Sequence, residues 1–168
     1  MAYRVAIITL SDSAARGERE DRSGAVIREM VTAAGYEVVS QHLLSDDRQA
    51  LTDLLIDICD NDRADLILTT GGTGFSRRDN APEATLDAIE RHVPGIAEAM
   101  RVNSLQYTPR SMLSRGVSGI RKFTLIINLP GSPKAVRENL GFALPALEHG
   151  LAILKGDAAE CGRAEFEV

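Results

Sequence analysis

The chain has 168 residues, the size of one ordinary domain and enough to bury a core without disulfide or metal staples. Hydrophobic residues make up 44% and charged residues 26%, which excludes a disordered or fibrous class. With 19 Lys+Arg against 24 Asp+Glu, a formal charge of −5 and scattered basic residues, nonspecific binding to nucleic acid or to an anionic membrane is disfavoured.

Trp is absent and only 4% of residues are aromatic, so the core has to be mainly aliphatic. The apolar run before Ser11 is too short for a signal peptide or a membrane span. Cys59 and Cys161 have no second thiol or histidine at ligand spacing and read as free thiols. Together these place the protein in the cytoplasm. His42, His92 and His149 show no spacing that suggests a metal or a catalytic pair.

Val5 to Leu10 is continuously apolar and β-branched, the pattern of a parallel strand covered on both faces. Val26, Ile27, Met30, Val31 and Ala34 then recur at helical spacing, with Gly35 placed to end the helix. Tyr36 to Leu44 is a second strand, and Leu51, Leu54, Leu55 and Ile58 form one stripe of the next helix. Asp65 to Thr70 is a third strand, broken by Gly71-Gly72 and followed by helical stretches around 81–91 and 95–106. Residues 112–120 and 122–129 read as two more strands. Helical spacing returns from Pro133 to Leu154, with an interruption expected at Pro145 because proline lacks an amide donor. The pattern predicts one α/β domain over 1–156, a three-layer α/β/α sandwich with a mostly parallel sheet. An acidic, weakly patterned tail, expected to be ordered to frayed, follows at 157–168.

In such a sheet, ligands bind beyond the carboxyl ends of the strands, where loops are free and helix N-termini point inward. Strand one runs into Ser11-Asp12-Ser13, strand two into Ser45-Asp46-Asp47, strand three into Gly71-Gly72-Thr73-Gly74, and the last into Pro130-Gly131-Ser132. The glycine turn is either a plain tight turn or a cradle that lets backbone amides approach a phosphate. Its continuation through Arg78 and Asp79 favours the second reading. Asp46 with Gln49, and Asn80 with Glu83, also have the spacing of simple helix caps; for Glu83 the cap is the preferred reading. Ser132-Pro133 reads as a helix start whose amides could equally hold a phosphate, and Lys134 and Arg137 place cations on that first turn and a half.

These segments resemble the molybdopterin adenylyltransferases, the MogA/MoaB-type proteins and the related gephyrin and plant domains. The resemblance spans roughly residues 4–156. It rests on Ser11-Asp12-Ser13 with Asp21-Arg-Ser-Gly24, Asp46-Asp47, Gly71 to Gly74 with Arg78-Asp79 and Pro82 to Thr85, Ser104 to Pro109, Met112 to Arg115, and Leu129 to Pro133. It implies that the terminal phosphate of molybdopterin attacks the α-phosphate of ATP with Mg²⁺, releasing pyrophosphate. Asp46 and Asp79 would be the catalytic carboxylates and hold Mg²⁺. Gly71, Gly72, Thr73, Gly74, Arg78, Ser11, Asp12, Asp21, Ser23 and Gly24 would surround the nucleotide. Ser104, Ser114, Arg115, Gly131, Ser132 and Lys134 would approach the pterin and its phosphate. The resemblance also implies a homotrimer or homohexamer and molybdenum-inserting proteins as partners. The alternative is a noncatalytic molybdopterin-binding or scaffold protein. Retention of both aspartates argues for chemistry.

Overall fold

The first strand, β1 (Arg4–Leu10), is buried along almost its whole length, as its unbroken apolar run requires. Its side chains alternate between two cores: Val5 and Ile7 enter one, Ala6, Ile8 and Leu10 the other. The structure is a computed structural model that describes residues 2–156, so Cys161 and the expected tail at 157–168 lie outside the described residues.

A single turn, α1 (Asp12–Ala15), follows β1, and then α2 (Arg22–Ala33), capped by the Asp21 side chain on Gly24 N. Next come β2 (Glu37–Leu44), α3 (Arg48–Asp60), β3 (Leu66–Thr70), α4 (Ala81–Ala88), the short β4 (Arg91–His92) and α5 (Pro94–Ser104). A 3₁₀ turn (Pro109–Leu113), β5 (Ser118–Arg121), β6 (Thr124–Leu129) and α6 (Pro133–Lys155) complete the described residues.

The six strands form one sheet in the order β2-β1-β3-β6-β5-β4. The first four are mutually parallel, and the β5 and β4 edge runs antiparallel. Helices α2, α5 and α6 cover one face and α3 and α4 the other, giving the three layers expected. Among the described residues no helix is long and apolar enough to cross a membrane.

Three details differ from the sequence reading. The stretch read as helical to 91 ends at Ala88, because Arg91–His92 pairs with β5 as an edge strand. Residues 112–117 are not a strand, because the 3₁₀ turn occupies 109–113 and the extended pairing begins only at Ser118. No break occurs at Pro145, and α6 runs through it. An interior proline costs about 3 kcal/mol. Leu147 and Leu151, buried beyond it, each return about 1.5–3 kcal/mol, which is enough to keep the helix intact.

Candidate active site

The parallel registers bring four strand ends level: Leu10 pairs with Leu44, Thr9 with Thr70, and Thr70 with Leu129. The crossover from β1 to β2 uses α2 on one face, and that from β2 to β3 uses α3 on the other. The loops after β1 and β3 therefore diverge at a switch point, where open α/β sheets leave a crevice.

Gly71 closes the middle of this edge. Its φ is +92°, and a Cβ there would lie 2.3 Å from the Leu10 carbonyl oxygen, a backbone atom that cannot step aside. Only glycine lets the β3 loop cross so near the end of β1. Hydroxyls pin the neighbouring loop: Thr70 donates to the Pro130 carbonyl at 2.7 Å and Ser23 to the Gly131 carbonyl at 2.6 Å.

Asp46 and Asp12 are joined reciprocally. Asp12 N donates to Asp46 Oδ2 at 3.1 Å and Asp46 N to Asp12 Oδ1 at 3.0 Å, which ties the end of β2 to the end of β1. Arg78 lays its guanidinium fork on Asp12 at 3.0 and 2.7 Å. Asp46 Oδ1 faces the glycine turn, 3.5 Å from where a Cβ of Gly72 would stand. Asp79 Oδ2 accepts from Ser76 N at 2.9 Å and lies 2.9 Å from the corresponding point on Gly74. Loops from three strands thus place Asp12, Asp46, Arg78 and Asp79 around one glycine turn.

The helix-cap alternatives are not realised. Asp47 caps α3, accepting from Ala50 N at 2.7 Å, while the Gln49 amide turns to Asp53. Asp46 is left free of the cap because its backbone and carboxylate are committed to Asp12. Asn80 makes no side-chain cap. Glu83 reaches instead for Arg115, whose fork also donates to the Gly74 carbonyl at 2.8 Å and the Asp79 carbonyl at 2.6 Å. Arg115 therefore clamps both ends of the loop that carries Arg78 and Asp79, rather than reaching toward the pterin side as expected. Burial opposes the Glu83 charge, yet the Arg115 guanidinium outweighs it and holds the carboxyl below its ordinary range.

Burial pushes the Asp46 carboxyl above its usual range, and the charges of Asp12 and Asp79 push the same way against the Asp12 amide and Arg78. The Arg78 hydrogen bond holds Asp12 below its own. Net negative charge close to Asp46 favours a cation arriving there. Among the described residues no group of three or more His, Cys, Asp or Glu could hold a metal ion. The chemistry of the donors, two hard carboxylates beside a glycine turn, nonetheless fits Mg²⁺, which takes one or two protein carboxylates and completes its shell with water and substrate phosphates.

Two cavities flank the turn. The larger, about 280 Å³, runs from Thr73 and Gly74 to Ser104, Ser114, Glu138 and Asn139. The smaller, about 110 Å³ and more polar, is lined by Ser11, Asp21, Ser23, Gly71, Gly131 and Pro133 among others. Asp21 also accepts from Thr9 Oγ1 at 2.7 Å, so it builds the wall as well as lining it. Ser132 caps α6 on Ala135 N, with Pro133 at the first helical position as expected. Lys134 projects into solvent and lines neither cavity; Arg137 pairs with Glu29 at 2.9 Å. The sequence reading did not single out Arg101, Arg110, Glu138 or Asn139 in the larger cavity. Ala135, Glu138 and Asn139 share one face of α6, a spacing that could have pointed to them.

The family described as "Probable molybdopterin binding domain" matches residues 6–149. The chain belongs to the molybdopterin-binding-domain family. The molybdopterin adenylyltransferase of Helicobacter pylori strain J99 is 39% identical over 155 residues, covering 91% of this chain and 88% of its own length. Gephyrin of Dictyostelium discoideum is 40% identical over 159 residues, covering 89% of this chain and 22% of its own. The crystal structure of the molybdopterin biosynthesis enzyme MoaB from Thermus thermophilus superposes with a TM-score of 0.87 at 47% identity, covering 92% of this chain and 97% of that one. The family model, the curated relatives and the solved structure all match over nearly the whole described chain.

Proposed function

We propose that this chain is a molybdopterin adenylyltransferase of molybdenum cofactor biosynthesis, using Mg²⁺ and ATP. A terminal phosphate oxygen of molybdopterin attacks the α-phosphorus of ATP, the bond to the bridging β-phosphate oxygen breaks, and pyrophosphate leaves. The observation that carries this reading is the meeting of Asp46 and Asp79 at the Gly71–Gly74 turn, between two cavities of different character.

A phosphate monoester is already an anionic nucleophile near neutral pH, so no strong general base is needed. The task is to hold two anions in line and offset their repulsion. Asp46 and Asp79 are the residues that would hold Mg²⁺, which when bound supplies positive charge to the triphosphate. Ser11, Asp21, Ser23, Gly24, Gly71 and Gly72 surround the nucleotide, with Asp12 and Arg78 bracing Asp46. Thr73, Gly74, Ser104 and Ser114 serve the pterin, Ser132 and the solvent-facing Lys134, outside both cavities at the start of α6, attract its phosphate, and Gly131 stands between the two halves. Arg115 acts by fixing the Asp79 loop.

The exposed Val102 and Phe142, beside an apolar groove between α5 and α6, support assembly into a homotrimer or homohexamer. Delivery to molybdenum-inserting proteins follows from the product, and a cytoplasmic location suits the buried free thiol of Cys59. The direct test mixes purified protein, ATP, Mg²⁺ and molybdopterin. Pyrophosphate and adenylylated molybdopterin should form only when all four are present. Tight molybdopterin binding without pyrophosphate would instead favour the noncatalytic reading.

A further inference from the structure

The larger cavity is lined by one carboxylate, which belongs to neither the glycine turn nor its aspartates. Glu138 lies on α6 among Ala97, Met100, Leu113 and Ala135. Its side chain is only 16% exposed, yet it makes no hydrogen bond among the described residues. Its one ionic neighbour is Lys134 at 3.9 Å, a side chain 86% exposed. So loose a pair at the surface contributes almost nothing. Its helical neighbour Asn139 is different: the amide donates to the Ala135 carbonyl at 2.8 Å and accepts from Ser104 Oγ at 3.2 Å. Asn139 is satisfied within the protein, and Glu138 is not. The Glu138 oxygens open into the cavity, so a ligand that displaces their water has to bring donors of its own.

We propose that Glu138 recognises the pterin ring, accepting a two-pronged hydrogen bond from its 2-amino group and N3–H. The inference rests on the molybdopterin reading above and adds the residue that selects the ring. Adjacent N–H donors of an amidine edge match the two carboxylate oxygens as a guanidinium fork does. The spacing fits as well. At the start of α6, Ser132 occupies Ala135 N and Val136 N, which leaves Lys134 N to meet an anion, and Glu138 lies further along the same helix. From Ser132 to Glu138, at 1.5 Å per residue, the axial rise is about 9 Å. A ligand with a phosphate at one end and an amidine edge at the other would satisfy both sites at once. The carboxylate also discriminates: a ring with an oxo group at position 2 would place two acceptors face to face.

The test compares molybdopterin binding by the full chain and by Glu138→Gln and Glu138→Ala, with pterin and lumazine as competitors. Lumazine carries an oxo group in place of the 2-amino group. Both variants should bind molybdopterin about 10- to 100-fold more weakly, the scale of a lost charged hydrogen bond, with ATP affinity and melting temperature retained. Pterin should displace molybdopterin from the unaltered protein at least ~10-fold better than lumazine, and Glu138→Gln should erase that preference. Should a variant fail to fold, the pterin–lumazine comparison on the unaltered protein decides alone. Equal displacement by the two rings, or unaltered affinity in a folded Glu138→Gln, overturns the proposal. Ring selectivity with no pyrophosphate formed would leave this contact standing and remove the adenylylation reading.

Discussion

Replacing Gly71 with alanine should damage stability and activity together, and Gly35 provides the control. Both glycines have left-handed φ, +92° at Gly71 and +86° at Gly35. A Cβ on Gly35 meets no atom within 4 Å, so Gly35→Ala carries the backbone cost alone, about 1–2 kcal/mol. At Gly71 the same atom would lie 2.3 Å from the Leu10 carbonyl oxygen. Restoring ordinary contact needs a shift of about 1 Å between the β3 loop and the end of β1, adding about 1–3 kcal/mol of overpacking. The sum is about 2–5 kcal/mol. At 2–4 °C per kcal/mol for a chain of this size, Gly71→Ala should melt about 4–20 °C lower than the unaltered protein. The displaced loop also carries Thr73 and Gly74 toward the reacting phosphates, where a 1 Å error costs about 100-fold in rate. Thermal unfolding with pyrophosphate release on the same preparations measures both. A Gly71→Ala protein as stable as Gly35→Ala, with turnover intact, would refute the argument that a backbone crossing requires this glycine.

Other expectations follow from the same geometry. Asp65 is buried, and although burial opposes its charge, Arg4 and Lys155 hold its carboxyl at about 2 against an ordinary 3.8. A depressed carboxyl contributes stability above its unfolded value and loses it as pH falls through the folded one. About 2 kcal/mol should therefore vanish between about pH 4 and pH 2, and Asp65→Asn should flatten that limb in urea titrations. Arg115→Lys, unable to reach both the Gly74 and Asp79 carbonyls with one ammonium, should lower turnover about 100-fold with molybdopterin affinity retained. Phe142→Glu should shift the assembly toward monomer in sedimentation, while the monomer keeps its secondary structure by circular dichroism.

Much of the architecture could be read from the residues because local pattern and tertiary role coincide. The run from Val5 to Leu10 is apolar because helices cover both faces of β1, and Ser132-Pro133 starts α6 with the cap its chemistry favours. The site was legible as a set of loops, since polar and glycine residues interrupt apolar strands only where the sheet ends. Sequence could not say which of Asp46 and Asp47 caps α3, because both precede the helix. The reciprocal bonds to Asp12, thirty-four positions away, decide it. Glu83 has cap spacing, but Arg115 arrives from a distant segment and draws the carboxylate off. Glu138 looks like one more charge on a solvated helix until α5 and the 3₁₀ turn close over that face.

The central claim is that Asp46 and Asp79 organise charge around one triphosphate at the glycine turn. Turnover by Asp79→Asn tests it most directly. An asparagine oxygen can still accept from Ser76 N, and Arg115 grips the Asp79 carbonyl rather than its side chain, so the loop should survive. The account predicts an unaltered melting temperature, unaltered molybdopterin affinity and pyrophosphate release slowed at least ~100-fold. Turnover at the rate of the unaltered protein, or a fall in rate matched by an equal loss of thermal stability, would contradict it.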